Sequence, residues 1–160
     1  MFHCLFLLFI VLFTSDQALG QEKPINPAFN PEISLNGLFF AGYFSEPENL
    51  EFGAHDPTQR GFSPQQLELT IGSIVDPSLR ADAHIALGFE GGETVVEVEE
   101  ATVTTLALPH RLQWVGGQFF TRFGRLNPQH PHDWGFADQT VIHNRFFGPD
   151  GLRNPGMQIS

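Results

Sequence analysis

Residues 80–90 alternate between two kinds of side chain without a break. Ala81, Ala83, Ile85, Leu87 and Phe89 have one parity, and Arg80, Asp82, His84, Ala86, Gly88 and Glu90 have the other. A period of two specifies a β-strand with one apolar and one wet face, because successive side chains on a strand point to opposite sides. The preceding run behaves alike. Leu67, Leu69, Ile71 and Val75 oppose Glu68, Thr70 and Gly72, with Ser73 and Ile74 breaking the pattern. Asp76-Pro77-Ser78 joins the two runs with strong turn chemistry, which predicts a hairpin.

Four more strand-like segments flank this pair. Residues 33–44 begin as an alternating strand and end apolar and aromatic on both faces. Residues 94–106 are rich in Val and Thr, and their alternation changes phase: Val96 and Val98 share one parity, Ala101 and Val103 the other. That phase change predicts a β-bulge near Glu99-Glu100. Residues 112–120 form another run, which Gly116-Gly117 allows to bend, and residues 156–160 open a sixth strand. No segment reads as an amphipathic helix. The expected links are residues 45–64, 76–78, 91–93, 107–111 and 121–155, so that long and short connections tend to alternate.

The first residues are of another kind. Residues 5–13 are an unbroken apolar run, shorter than the roughly 20 residues of a membrane-spanning helix and suited to the core of a secretory signal peptide. Ala18 and Gly20 supply small residues for cleavage before Gln21, although no Lys or Arg precedes the run. We therefore expect a signal peptide over 1–20, then an extended, proline-rich leader over 21–32. Cleavage would remove Cys4, the single cysteine, and leave no disulfide to staple the fold. The chain carries 8 basic and 18 acidic residues, a formal net charge of −10. It has no basic stripe of the kind nucleic acids require, which argues against such a partner.

Alternating strands of about 10 residues with unequal links fit a transmembrane barrel of the bacterial outer membrane, which has short turns on one side and long loops on the other. A link as long as 121–155 is unusual in a compact soluble domain. The expected fold class is thus all-β, an antiparallel up-and-down transmembrane β-barrel over residues 33–160. Five or six strands cannot close a barrel whose smallest single-chain form has eight. The expectation is accordingly an incomplete barrel, the N-terminal portion of a longer protein. Self-assembly of several copies into a homo-oligomer, or a soluble β-sandwich, are the alternatives.

Residues 115–127, Val-Gly-Gly-Gln-Phe-Phe-Thr-Arg-Phe-Gly-Arg-Leu-Asn, carry a family likeness. The segment resembles the G-K/Q-F-x-x-x-F-G stretch of the phosphate-selective and related porin-like outer-membrane proteins. As in those proteins, a long loop follows, then Gly148-Pro149-Asp150-Gly151 and the strand start Gly156-Met157-Gln158-Ile159-Ser160. His130-Pro131-His132-Asp133-Trp134 is similar to a stretch of uncharacterised porin-like proteins labelled TonB-dependent receptors. The resemblance implies an outer-membrane channel for passive diffusion of small solutes, with the lipid bilayer as its surroundings and no catalytic residues. The basic pore residues of the phosphate-selective members have no counterparts here. The charges expected to face the lumen are mixed: Glu68, Arg80, Asp82, His84 and Glu97.

One loop carries candidate chemistry. His130 and His132, with Asp133 and His143 close in sequence and Asp138 nearby, offer imidazole and carboxylate ligands suited to Zn²⁺ or another borderline metal. Two His one residue apart on an extended segment point the same way and can reach one ion, although no four-ligand spacing is evident and a solvated polar loop is the plainer alternative. Gly124 followed by His130-x-His132 is also close to the first metal motif of cupins, but the Glu expected soon after His132 is missing. Glu97, Glu99 and Glu100 form an acidic cluster that would favour cations in a water-filled lumen. No nucleophile elbow, phosphate-cradling glycine loop or CxxC pair is present, so no catalytic residue and no bound cofactor are expected. The second functional reading is a soluble periplasmic or secreted β-sandwich that binds a ligand or metal through residues 121–155.

Overall fold

The computed structural model describes residues 31–45, 53–57, 59–90 and 93–160. The expected signal peptide and nearly all of the leader lie outside the described residues. Six strands follow one another as β1 (Glu32–Gly42), β2 (Gly61–Asp76), β3 (Leu79–Glu90), β4 (Glu93–Thr105), β5 (Trp114–Phe120) and β6 (Arg153–Ile159). They form one sheet in the order β1-β2-β3-β4-β5-β6, each strand antiparallel to the next. The fold is therefore all-β and up-and-down, and the sheet is open, with β1 and β6 at its edges.

Local chemistry sets the turns. The β2–β3 hairpin closes where the Asp76 carboxylate accepts the Ser78 N–H at 2.6 Å, the bond of an Asx turn. Between β4 and β5, His110 and Arg111 both take left-handed backbone angles (φ 61° and 60°), and the Leu112 N–H closes on the Pro109 carbonyl at 3.2 Å. In β5, Gly117 has φ +133°, and a Cβ there would run into the Ala101 carbonyl of β4. Only glycine allows that approach.

Several boundaries differ from the sequence expectation. β1 ends at Gly42 rather than 44, and β2 begins at Gly61 rather than near 65. β6 is a full strand rather than the bare opening of one: it pairs with β5 from Phe120↔Arg153 to Trp114↔Ile159. A helix also exists where none was expected, α1 (Val141–Phe147), capped by Thr140 and ended by Gly148 at φ +86°. It has 7 residues, and among the described residues no helix is long and apolar enough to cross a membrane.

The sheet buries its polar side. Across β2 and β3, Glu68 opposes Ala86, Thr70 opposes His84 and Gly72 opposes Asp82; the other parity sets Leu67 opposite Leu87, Leu69 opposite Ile85 and Ile71 opposite Ala83. Among the described residues Phe40, Pro57 and Ala86 are the buried apolar side chains, whereas Gln66, Glu68, Glu99, Asn127 and His130 are buried polar ones. Ile33, Leu35 and Val96 are each 65% exposed. Burying one such side chain is worth about 1.5–3 kcal/mol, which this face forgoes in β1 and β4, while Leu67, Leu69, Ile71, Ile85 and Leu87 between them are half-buried.

Candidate functional site

A change of register in the β3–β4 pair builds the site. His84 lies opposite Glu100 and Ile85 opposite Val98, which leaves Glu99 without a partner of its own. This is the β-bulge expected from the phase change, and it turns Glu99 and Glu100 to the same side. Glu97, Glu99 and Glu100 thereby all reach the polar face, where they meet Glu68 and Gln66 of β2 and His84 of β3.

Residues 121–152 fold back over this face. Asn127 fastens the two ends of the segment together, donating to the Thr121 and Leu152 carbonyls and accepting the Leu152 N–H at 2.7 Å. Gln65 of β2 donates to the Ala137 carbonyl. The Asp56 carboxylate accepts the N–H groups of Gly53 and Gln139, at 2.6 and 2.7 Å, and so joins the β1–β2 link to the same segment. Burial pushes the Asp56 pKa up, more than these bonds lower it. A short turn at Pro131–Asp133 then sets the rings of His130 and His132 side by side, with centroids 5.7 Å apart.

The imidazoles and carboxylates interlock. His130 Nδ1 is 3.1 Å from both Glu68 Oε2 and Glu99 Oε2, and its Nε2 is 3.2 Å from Glu100 Oε2. His84 Nδ1 is 3.2 Å from Glu68 Oε1, and its ring stacks on that of His130 at 4.8 Å. His132 Nδ1 lies 3.3 Å from Glu68 Oε2. On the other flank, His55 Nε2 meets Glu99 Oε1 at 3.1 Å, and Arg153 pairs with Glu97. A cavity of about 30 Å³, room for a water molecule, lies beside Glu99, His55, Asn127 and His143. Glu68 and Glu99 are 2% and 1% exposed, and charges so far from water must be paired. Burial alone would lower the pKa of His130, but its contacts with Glu100, Glu68 and Glu99 outweigh burial and push it up to about 12. Contact with Glu68 likewise raises His132, and Glu99 raises His55 against the effect of burial.

Residues singled out from the sequence divide into three groups. Glu68, His84 and Glu97 lie on the polar face within the cluster, as do His130 and His132 from the loop. Arg80 and Asp82 form a separate ion pair toward the β2–β3 turn, with Arg80 also reaching Glu32. Asp133 and His143 do not join the metal set expected of them. The Asp133 side chain is 61% exposed and 3.8 Å from His132 Nε2, on the outer side of its turn. His143 sits on α1 against Phe147, where burial lowers its pKa. In their place stand residues of the sheet: one ligand atom from each of Glu68, His84 and His130 lies within 4.8 Å of the other two, a triad able to hold a metal ion. Glu99, Glu100 and His55 complete the cluster around it.

No family model matches the chain, and no solved structure matches it. It is similar to an uncharacterised protein of Aquifex aeolicus (strain VF5), with 38% identity over 163 residues. That alignment takes in 91% of this chain and 34% of the Aquifex protein. The chain thus spans about a third of the length of the curated relative it matches.

Proposed function

We propose that this chain forms part of the wall of a porin-like bacterial outer-membrane β-barrel, exported by a signal peptide at residues 1–20, through which small solutes diffuse passively. The observation that carries this reading is the inverted sheet, with polar side chains buried and a broad apolar face left bare. In lipid that face meets its proper solvent, while the polar face lines water. β1 to β4 have 11, 16, 12 and 13 residues, and about 9–11 suffice for a strand to cross. The stacked pair Phe39–Phe62 and the exposed Tyr43 lie together at one end of β1 and β2, as in an interfacial aromatic girdle. The edges of β1 and β6 need further strands, from more chain or from other copies, because unpaired backbone in lipid costs several kcal/mol per group. Residues 121–152 then act as a constriction folded against the lumen wall. The acidic lining favours cations, and its imidazoles and carboxylates suit Zn²⁺ among the divalent metals.

Fractionation of cells expressing the full chain tests this reading. Recovery with outer membranes, released only by detergent, supports it. Release with the soluble periplasm overturns it in favour of a soluble β-sandwich that binds its ligand through the 121–155 loop. Reconstitution in planar bilayers under a salt gradient should further give stepwise conductance with a reversal potential of cation-selective sign.

A further inference from the structure

We propose that Glu68, His84 and His130, with His132 as fourth ligand, bind one divalent cation of the zinc type and thereby fasten residues 121–152 to the sheet. The spacing supports this first. Ligand atoms around a tetrahedral zinc with bonds of about 2.0–2.1 Å stand about 3.3–3.4 Å apart. Glu68 Oε2 lies 3.1 Å from His130 Nδ1 and 3.3 Å from His132 Nδ1, Glu68 Oε1 lies 3.2 Å from His84 Nδ1, and one ligand atom from each of Glu68, His84 and His130 lies within 4.8 Å of the other two.

Hydrogen bonding alone would also give such distances, but it does not satisfy this site. Glu68 Oε2 is buried and has no hydrogen-bond partner, although two imidazole nitrogens lie close to it; His132 Nδ1 is orphaned in the same way. Leaving a buried polar atom unmatched costs about 1–3 kcal/mol, more when it is charged. A cation between these atoms satisfies both at once.

The surroundings are arranged to orient the ligands. If His130 binds through Nδ1, its Nε2–H faces Glu100 Oε2 at 3.2 Å. That is the carboxylate–histidine–metal relay that fixes ring orientation and raises ligand basicity. Three imidazoles and one carboxylate select zinc or a neighbouring transition metal over Ca²⁺ and Mg²⁺, which take oxygen ligands. Two ligands come from neighbouring strands and two from the loop, so occupancy and loop closure are coupled. The donor set is the same whether the sheet lies in lipid or in water, and the zinc test therefore fails independently of fractionation.

The test uses the purified full chain, stripped with a chelator and then titrated with ZnCl₂ by equilibrium dialysis. One zinc per chain is expected. Glu68→Gln, His84→Gln and His130→Gln should each weaken binding by at least the roughly hundredfold that loss of an outer-shell partner can cause, while Asp133→Asn and His143→Gln bind like wild type. Zinc should also slow trypsin cleavage at the exposed Arg122 and Arg125 of the wild-type loop. A wild-type chain that takes up no zinc overturns the proposal even if the variants do not fold. Zinc uptake indifferent to the three ligand changes, or lost equally in His143→Gln, overturns it as well.

Discussion

His84 stands opposite Glu100, one residue further along β4 than an unbroken ladder from the Ile85–Val98 pair would put it. The skipped residue, Glu99, is 1% exposed. Through it the bulge joins three parts of the molecule: Gln66 of β2, His55 of the β1–β2 link and His130 of the long loop.

Glu99→Ala is therefore expected to destabilise the protein by about 3–5 kcal/mol, since it leaves buried imidazoles without their carboxylate. Deleting Glu99 outright removes the same carboxylate but keeps His84 opposite Glu100. Denaturant unfolding of the two variants should show similar losses, with strand pairing retained in the deletion. A deletion that flips Val96 and Val98 to the polar face would contradict the bulge assignment.

Leu87 lies between Leu67 and Val96 on the bare face. On the membrane reading, Leu87→Arg should cost about 2–4 kcal/mol if the residue sits near the bilayer midplane. Refolding into lipid vesicles, followed by denaturant titration, measures this. A variant that assembles as stably as wild type would place Leu87 in water instead.

The β4–β5 turn carries avoidable strain. His110 and Arg111 both sit at positive φ, which costs non-glycine residues about 1–2 kcal/mol each. Replacing the pair by Asn-Gly, the preferred sequence for a turn with both central residues left-handed, should raise stability by about 1 kcal/mol. The rise in melting temperature should come without any change in zinc uptake.

His143 predicts a dependence on pH. Its folded-state pKa lies below the ordinary 6.5 because it is buried. The unfolded chain consequently holds this proton more readily than the folded one. The stability that neutral His143 contributes is complete above pH 6.5 and is lost as pH falls from there through the folded pKa. The protection factor of α1, its exchange rate corrected for the intrinsic pH dependence of amide exchange, should fall as pH drops from about 7 to about 5, and His143→Gln should remove that fall.

Much of the sheet is legible in the chain, for physical reasons. Alternation over 80–90 and the Asp76-Pro77-Ser78 turn together specify the β2–β3 pair, and the phase change locates the bulge. β6 is harder to see because Pro155 and Gly156 lower its strand propensity. α1 is too short for a periodic signal, although Thr140 and Gly148 bracket it as caps.

The site divides along the same line. Each of Glu68, His84, His130 and His132 stands out by residue type or face. Counting back from the hairpin turn even sets Glu68 and His84 on one face of neighbouring strands. Sequence proximity then favours Asp133 and His143 as companions of His130, whereas its real neighbours, Glu99 and Glu100, are 31 and 30 positions away. Which face a long loop covers depends on tertiary packing, and no local spacing encodes it.

The inverted faces carry a consequence for how such a chain comes to be folded at all. In water the hydrophobic effect draws Ile33, Leu35, Val96 and their neighbours together, which would collapse the sheet onto its wrong side. Exposed apolar strands with open edges are also templates for aggregation. Refolding from denaturant into plain buffer should therefore yield precipitate, and refolding into detergent micelles the ordered sheet. On the membrane reading, a companion in the cell would have to keep the nascent chain extended until an apolar surface is within reach.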